Sequence, residues 1–112
     1  MNAEIQSASR LNQSIARMIL QHLHDECGDG DACITVSDRT VADQLRGEIM
    51  LQCAWLKDCT SNPGIDMGDQ NGHTTYLLSD MSNENVHITT DPNFEKELPS
   101  WVGLRLRIGN WR

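Results

Sequence analysis

Positive charge and aromatic rings are both scarce in this chain. Nine Lys and Arg stand against sixteen Asp and Glu in 112 residues, a net charge of −7. That balance excludes a protein that works by neutralising phosphates over its whole surface. Aromatic residues make up 4% and hydrophobic residues 38%. Mean hydropathy is −0.47, and no apolar run reaches the length of a bilayer span. The first ten residues, Met1 to Arg10, carry no apolar core of a secretory signal. The four cysteines, Cys27, Cys33, Cys53 and Cys59, are too few for a disulfide scaffold. The chain therefore reads as cytoplasmic, with reduced thiols and no membrane association. Glycine-rich phosphate loops, a Gly-x-Ser-x-Gly elbow and paired-carboxylate signatures are absent too. No reaction is written in these letters, so no enzyme and no cofactor is expected.

What is present fits one domain over residues 1–112. Ile5, Ala8, Leu11, Ile15, Met18, Ile19 and Leu23 recur at helical spacing, which predicts a helix over 3–25. Ile34-Thr35-Val36 predicts a short strand. Ser37 then stands as an N-cap with Asp38 in the first turn. Val41, Leu45, Ile49, Cys53 and Leu56 continue a helical stripe over 38–58. Gly47 either weakens that helix or breaks it in two. Residues 60–72 form a long polar loop. Segments 73–79 and 86–90 predict a hairpin around the turn 80–85. Val102, Leu104, Leu106 and Ile108 alternate with Gly103, Arg105 and Arg107, so 101–109 predicts a half-buried strand with a basic outer face. The expected fold is α+β, with two or three helices on a small antiparallel three-stranded sheet.

The charges are not spread evenly. Between residues 58 and 97 lie eight acids and one lysine, which together equal the net charge of the whole chain. The loop 60–72 and the turn 80–85 therefore offer an acidic face, with Asp66, Asp69, Asp80 and Glu84 as candidate contacts. A solvated surface that keeps the protein soluble explains the same residues. Trp101 and Trp111 bracket the last strand, and tryptophan is favoured at binding hot spots. Trp111 either folds back on the sheet or meets a partner. Trp55 lies on the second helical stripe and is expected in the core.

His24, Cys27 and Cys33, with His22 close by, are metal-ligand residue types. Their spacings match no strong zinc signature. A small metal-binding protein using His24, Cys27 and Cys33 is thus an alternative, and the leading expectation is that no metal is bound. Cys53 and Cys59, read in one helix, would sit about 9 Å apart along its axis at 1.5 Å per residue, too far for a disulfide.

One family resemblance follows from element order. Helix, short strand, Ser37 to Leu45, a break at Gly47, a second helix from Glu48 to Cys59 and a hairpin resemble a winged-helix domain over residues 8–90. The resemblance implies a recognition helix and a wing that meet nucleic acid. Here that helix offers Glu48, Gln52, Lys57 and Asp58, and the wing offers Asp80 and Glu84. Base readout beside phosphates calls for Arg, Lys, Asn or Gln, and the acids Glu48, Asp58, Asp80 and Glu84 work against it. The resemblance therefore implies architecture more than activity, and nucleic acid is not the expected partner. A winged-helix-like regulator remains an alternative. The leading expectation is a small, non-catalytic protein-binding module, an inhibitor or adaptor of the kind phages and other mobile elements encode. It presents its acidic face to a basic partner. The long stripe on helix 3–25 also predicts a homodimer through that helix.

Overall fold

The computed structural model describes residues 3–26, 30–60, 69–70 and 73–109. In chain order these form α1 (Ala3–Asp25), β1 (Asp31–Val36), α2 (Arg39–Gln52), β2 (Lys57–Asp58), β3 (Asp69–Gln70), β4 (His73–Ser79), β5 (Asn85–Thr89), a 3-10 helix (Phe94–Glu97) and β6 (Leu104–Ile108). The fold is α+β, and its first helix has the bounds that the apolar spacing predicts. The sheet differs from the expected one. Five strands lie in the order β2-β4-β5-β1-β6, with the short β3 paired to β4. The pairing is mixed: β1 runs parallel to both β5 and β6, whereas β4 is antiparallel to β5 and β2.

β1 is the centre of this sheet. All six of its residues are buried, as a strand between two parallel neighbours requires when both sheet faces are covered. Ala32, Ile34 and Val36 join Tyr76, Leu78, Val86 and Ile88 against Ile15, Ile19 and Leu23 of α1 and Ala42, Leu45 and Ile49 of α2. That is the main core. On the other face, Cys33 packs with Phe94 and Val102. Because β5 and β6 flank β1, the connection 90–103 has to cross β1, and its 3-10 helix supplies this second cover. Arg105 and Arg107 tie the crossing down. Glu95 faces both guanidinium groups, and they also donate to the carbonyls of Glu95, Pro99 and Pro92. The basic side of β6 is thus turned to the crossing segment rather than left as an open outer face.

Three local expectations are corrected. Asp38, not Ser37, is the N-cap of α2; its extended backbone lets Oδ1 accept from Val41 N at 2.9 Å. α2 passes through Gly47 without a break and stops at Gln52, so no separate helix spans Glu48 to Cys59. Cys53 and Leu56 are buried as the stripe implied, but they sit in the turn that leads to β2. With no recognition helix and with a central parallel strand, the winged-helix order does not describe the chain.

Gly47 is exposed in the interior of α2, and a Cβ placed there meets nothing within 4 Å. A helix-interior glycine costs about 0.5–1 kcal/mol relative to alanine. Gly47→Ala should therefore raise stability by about that amount, seen as a higher urea midpoint at unchanged slope. An unchanged or lower midpoint would show that the glycine has a role the helix alone does not explain.

Candidate functional site: an acidic cleft beside Trp101

The acidic residues picked out in the sequence do not form one open face. Asp66 and Trp111 lie outside the described residues. Asp69 stands in β3 opposite Thr74. Asp80 is built into its own turn: its Oδ1 accepts from Ser82 N at 2.9 Å and Glu84 N at 3.0 Å. Desolvation works to raise this carboxyl, but the donors from Ser82, Glu84 and Asn83 outweigh it and hold it below its ordinary value. Met81 at the tip has a positive φ of 68°, which a side chain adopts only when its surroundings hold it there. Glu84 is buried, 6% exposed, and its Oε1 accepts from the indole Nε1 of Trp55 at 2.8 Å. Trp55 in turn is 44% exposed, so it covers this carboxylate instead of filling the core.

The His and Cys set is dispersed. The His24 side chain is 82% exposed at the end of α1, whereas Cys33 is sealed under the 3-10 helix. Cys27 lies outside the described residues. Among the described residues no group of three or more His, Cys, Asp or Glu is placed to hold a metal. Burial, helped by Glu95, pushes the Cys33 thiol up to about 11 despite Arg105 and Arg107. Burial, helped by Glu84, pushes Cys53 up to about 11 too. Both thiols stay protonated near neutral pH, and a thiol is a poor nucleophile. His87 is the cross-strand neighbour of Cys33; burial holds its ring below the usual histidine value, against the pull of Asp31. A neutral imidazole beside a protonated thiol is a packed pair, not an activated one.

A different set of residues comes together at the amino end of β1 and β6. A cleft of about 400 Å³ is lined by His22, Glu26, Asp31, Trp101 and Gly103. α1 brings His22 and Glu26, β1 begins with Asp31, and the end of the crossing segment brings Trp101 and Gly103. His22 Nε2 lies 3.0 Å from the Asp31 carbonyl. A carbonyl only accepts, so Nε2 carries the proton and the ring is fixed. A Cβ on residue 103 would come within 2.9 Å of His22 Cε1, so glycine is what lets the strand approach the ring. Asp31 is 8% exposed, and among the described residues its carboxylate accepts a single side-chain hydrogen bond, from Asn85 Nδ2 at 3.0 Å. Trp101 is 69% exposed. Among the described residues the lining includes two acidic residues, Glu26 and Asp31, and an open indole, with no Lys or Arg.

Sequence reasoning marked Trp101 as a contact but did not bring it together with His22, Glu26, Asp31 and Gly103. The lining residues come from three separated stretches, and Asp31 reads locally as part of a turn. Comparison with protein families, with curated proteins and with solved structures finds no match to this chain. The functional reading therefore rests on the chain's own geometry.

The two tryptophans should separate in a stability measurement. Trp55→Phe removes the indole donor from buried Glu84 and should cost about 1–3 kcal/mol. Trp101→Ala, at an exposed position, should change stability by no more than about 0.5 kcal/mol. Urea denaturation of both variants checks this, and the reverse order would contradict the roles given to the two rings.

Proposed function

We propose that this protein is a non-catalytic protein-binding module of inhibitor or adaptor type that meets a partner with a basic surface. The observation that carries the reading is the cleft at the amino end of β1. It brings an exposed tryptophan together with two acidic residues, and its described lining has no basic side chain. Exposed aromatic rings supply contact area at interfaces, and uncompensated acids steer a basic partner and speed its approach. Asp80, in the turn that leads into Asn85, the register partner of Asp31, adds charge at the same end of the sheet, and Asp66, Asp69 and Asp80 are the groups to reverse. Glu84 is left out of that set because its carboxylate is buried against Trp55. His24, exposed at the end of α1, and Cys33, sealed under the 3-10 helix, are far from sharing a site, which favours this reading over the metal-binding alternative. The loss of the winged-helix order removes what favoured the nucleic-acid alternative.

The native chain, immobilised and exposed to a lysate of its own source, should retain a protein with a basic patch at 0.1 M salt and release it near 1 M. The Debye length falls over that range from about 10 Å to about 3 Å. Trp101→Ala should retain less of the same protein. Recovery of nucleic acid in place of protein, or a partner held equally at both salt concentrations, would sink the proposal.

Self-association through α1 belongs to the same proposal. Leu11 and Met18 lie two turns apart on one face of that helix and are each 48% exposed. A second copy of α1 is the simplest cover for such a pair. Light scattering at micromolar concentration should give twice the chain mass of 12.6 kDa; the single-chain mass throughout a dilution series would exclude the dimer.

A further inference from the structure

The cleft beside Trp101 has three features that select for the chemistry of its occupant. The first is charge. Asp31 is more than nine-tenths buried, yet the one described side-chain donor on its carboxylate is a neutral amide. A buried carboxylate is normally compensated by a cation or by several donors, because leaving it otherwise is costly. The second is the end of α1. His22 lies in its last turn and Glu26 directly follows it, so the cleft opens where the helix dipole places its negative pole. That pole favours a cation independently of the two carboxylates. The third is Trp101, whose exposed ring offers a π face to a cation.

Those features distinguish among cations. A metal ion is disfavoured, because the described residues hold no cluster of three ligands and an indole is no ligand for it. An ammonium is compact and strongly hydrated, meets a ring only as a point charge, and has no planar face to lay on it. A guanidinium is planar, weakly hydrated, and presents five N–H donors in a fork while its face lies on an aromatic ring. A cleft of about 400 Å³ has room for such a side chain with its aliphatic stem. We infer that the cleft formed by Trp101, Asp31, Glu26 and the end of α1 is a receptor for one arginine side chain of the partner. The inference rests on the basic-partner reading and gives it a specific contact: the guanidinium stacks on Trp101 and donates to the carboxylates of Asp31 and Glu26.

Three short peptides with capped ends and neutral flanks, differing at one central position, test this. That position holds arginine, lysine or citrulline, the neutral isostere of arginine. Binding is followed by NMR titration of the Trp101 indole N–H and the Gly103 amide. The arginine peptide should shift both resonances saturably. The lysine peptide should bind at least fivefold more weakly, and the citrulline peptide should leave both unmoved. Trp101→Ala and Glu26→Gln, both surface changes, should each weaken arginine binding several-fold. Asp31→Asn should weaken it at least tenfold while the rest of the spectrum stays that of a folded chain. Equal binding of arginine and lysine, or binding indifferent to Trp101→Ala, overturns the arginine receptor. If the arginine peptide instead moves resonances of the 80–85 turn alone, the cleft is wrong and the basic-partner reading stands. If no basic peptide binds anywhere on the chain, both fall.

Discussion

The burial of β1 on both faces is the constraint from which the rest of the architecture follows. A strand with two parallel neighbours has no solvent side, so two layers must be supplied by the rest of the chain. Helices α1 and α2 supply one layer over Ala32, Ile34 and Val36. The crossing from β5 to β6 supplies the other over Cys33. This crossing is short and carries little apolar bulk beyond Phe94, Leu98 and Val102. Ion pairs and carbonyl hydrogen bonds from Arg105 and Arg107 therefore hold it in place. The same crossing ends at Trp101 to Gly103. The segment that closes the second face thus also delivers the exposed ring to the amino end of β1, and the cleft is a by-product of how the sheet is closed.

Net charge and usable charge are different quantities in this protein. Of the eight acids between 58 and 97, Glu95 faces Arg105 and Arg107, Asp58 pairs with Arg46 at 3.3 Å, and Glu84 accepts from Trp55. Asp80 is committed to backbone N–H groups of its own turn. Each of these carboxylates does structural work that a count of letters does not reveal. By contrast, Glu26 and Asp31 lie outside the acidic stretch, and they line a cleft whose described lining also holds an exposed aromatic ring and no Lys or Arg. A low isoelectric point steers partners from a distance; it does not say which carboxylates they touch.

The elements that sequence periodicity made legible are those whose pattern is set by one neighbour. The apolar stripe of α1 answers to one buried face, and the β-branched and apolar runs of β4 and β5 and the apolar/basic alternation of β6 mark strands close to where they form. What was hidden depends on more than one neighbour. Asp31-Ala32-Cys33 reads as the end of a turn because a strand buried on both sides need not alternate, and its length is shown only by its partners β5 and β6. Cys53 and Leu56 keep helical spacing beyond the end of α2, because a tight turn can return side chains to the same core. Parallel pairing is a property of chain routing and leaves no local mark. The cleft is hidden for the same reason: residues 22, 26, 31, 101 and 103 are brought together by topology alone.

A buried carboxylate with so little compensation bears on how the cleft would act. Replacing a buried charge by a neutral group of similar shape is often neutral or stabilising for a fold, so stability alone gives no reason to prefer aspartate over asparagine beside Asn85. The rigid frame around it has the opposite character. His22 is fixed by the Asp31 carbonyl, and Gly103 admits the ring by lacking a Cβ. A charged group held in a frame that allows it little movement is the arrangement in which binding loses least to ordering. A cation brought by the proposed partner would then meet a site already organised. Because Asp31 is already buried by the fold, the attraction between two such charges would appear more fully as affinity.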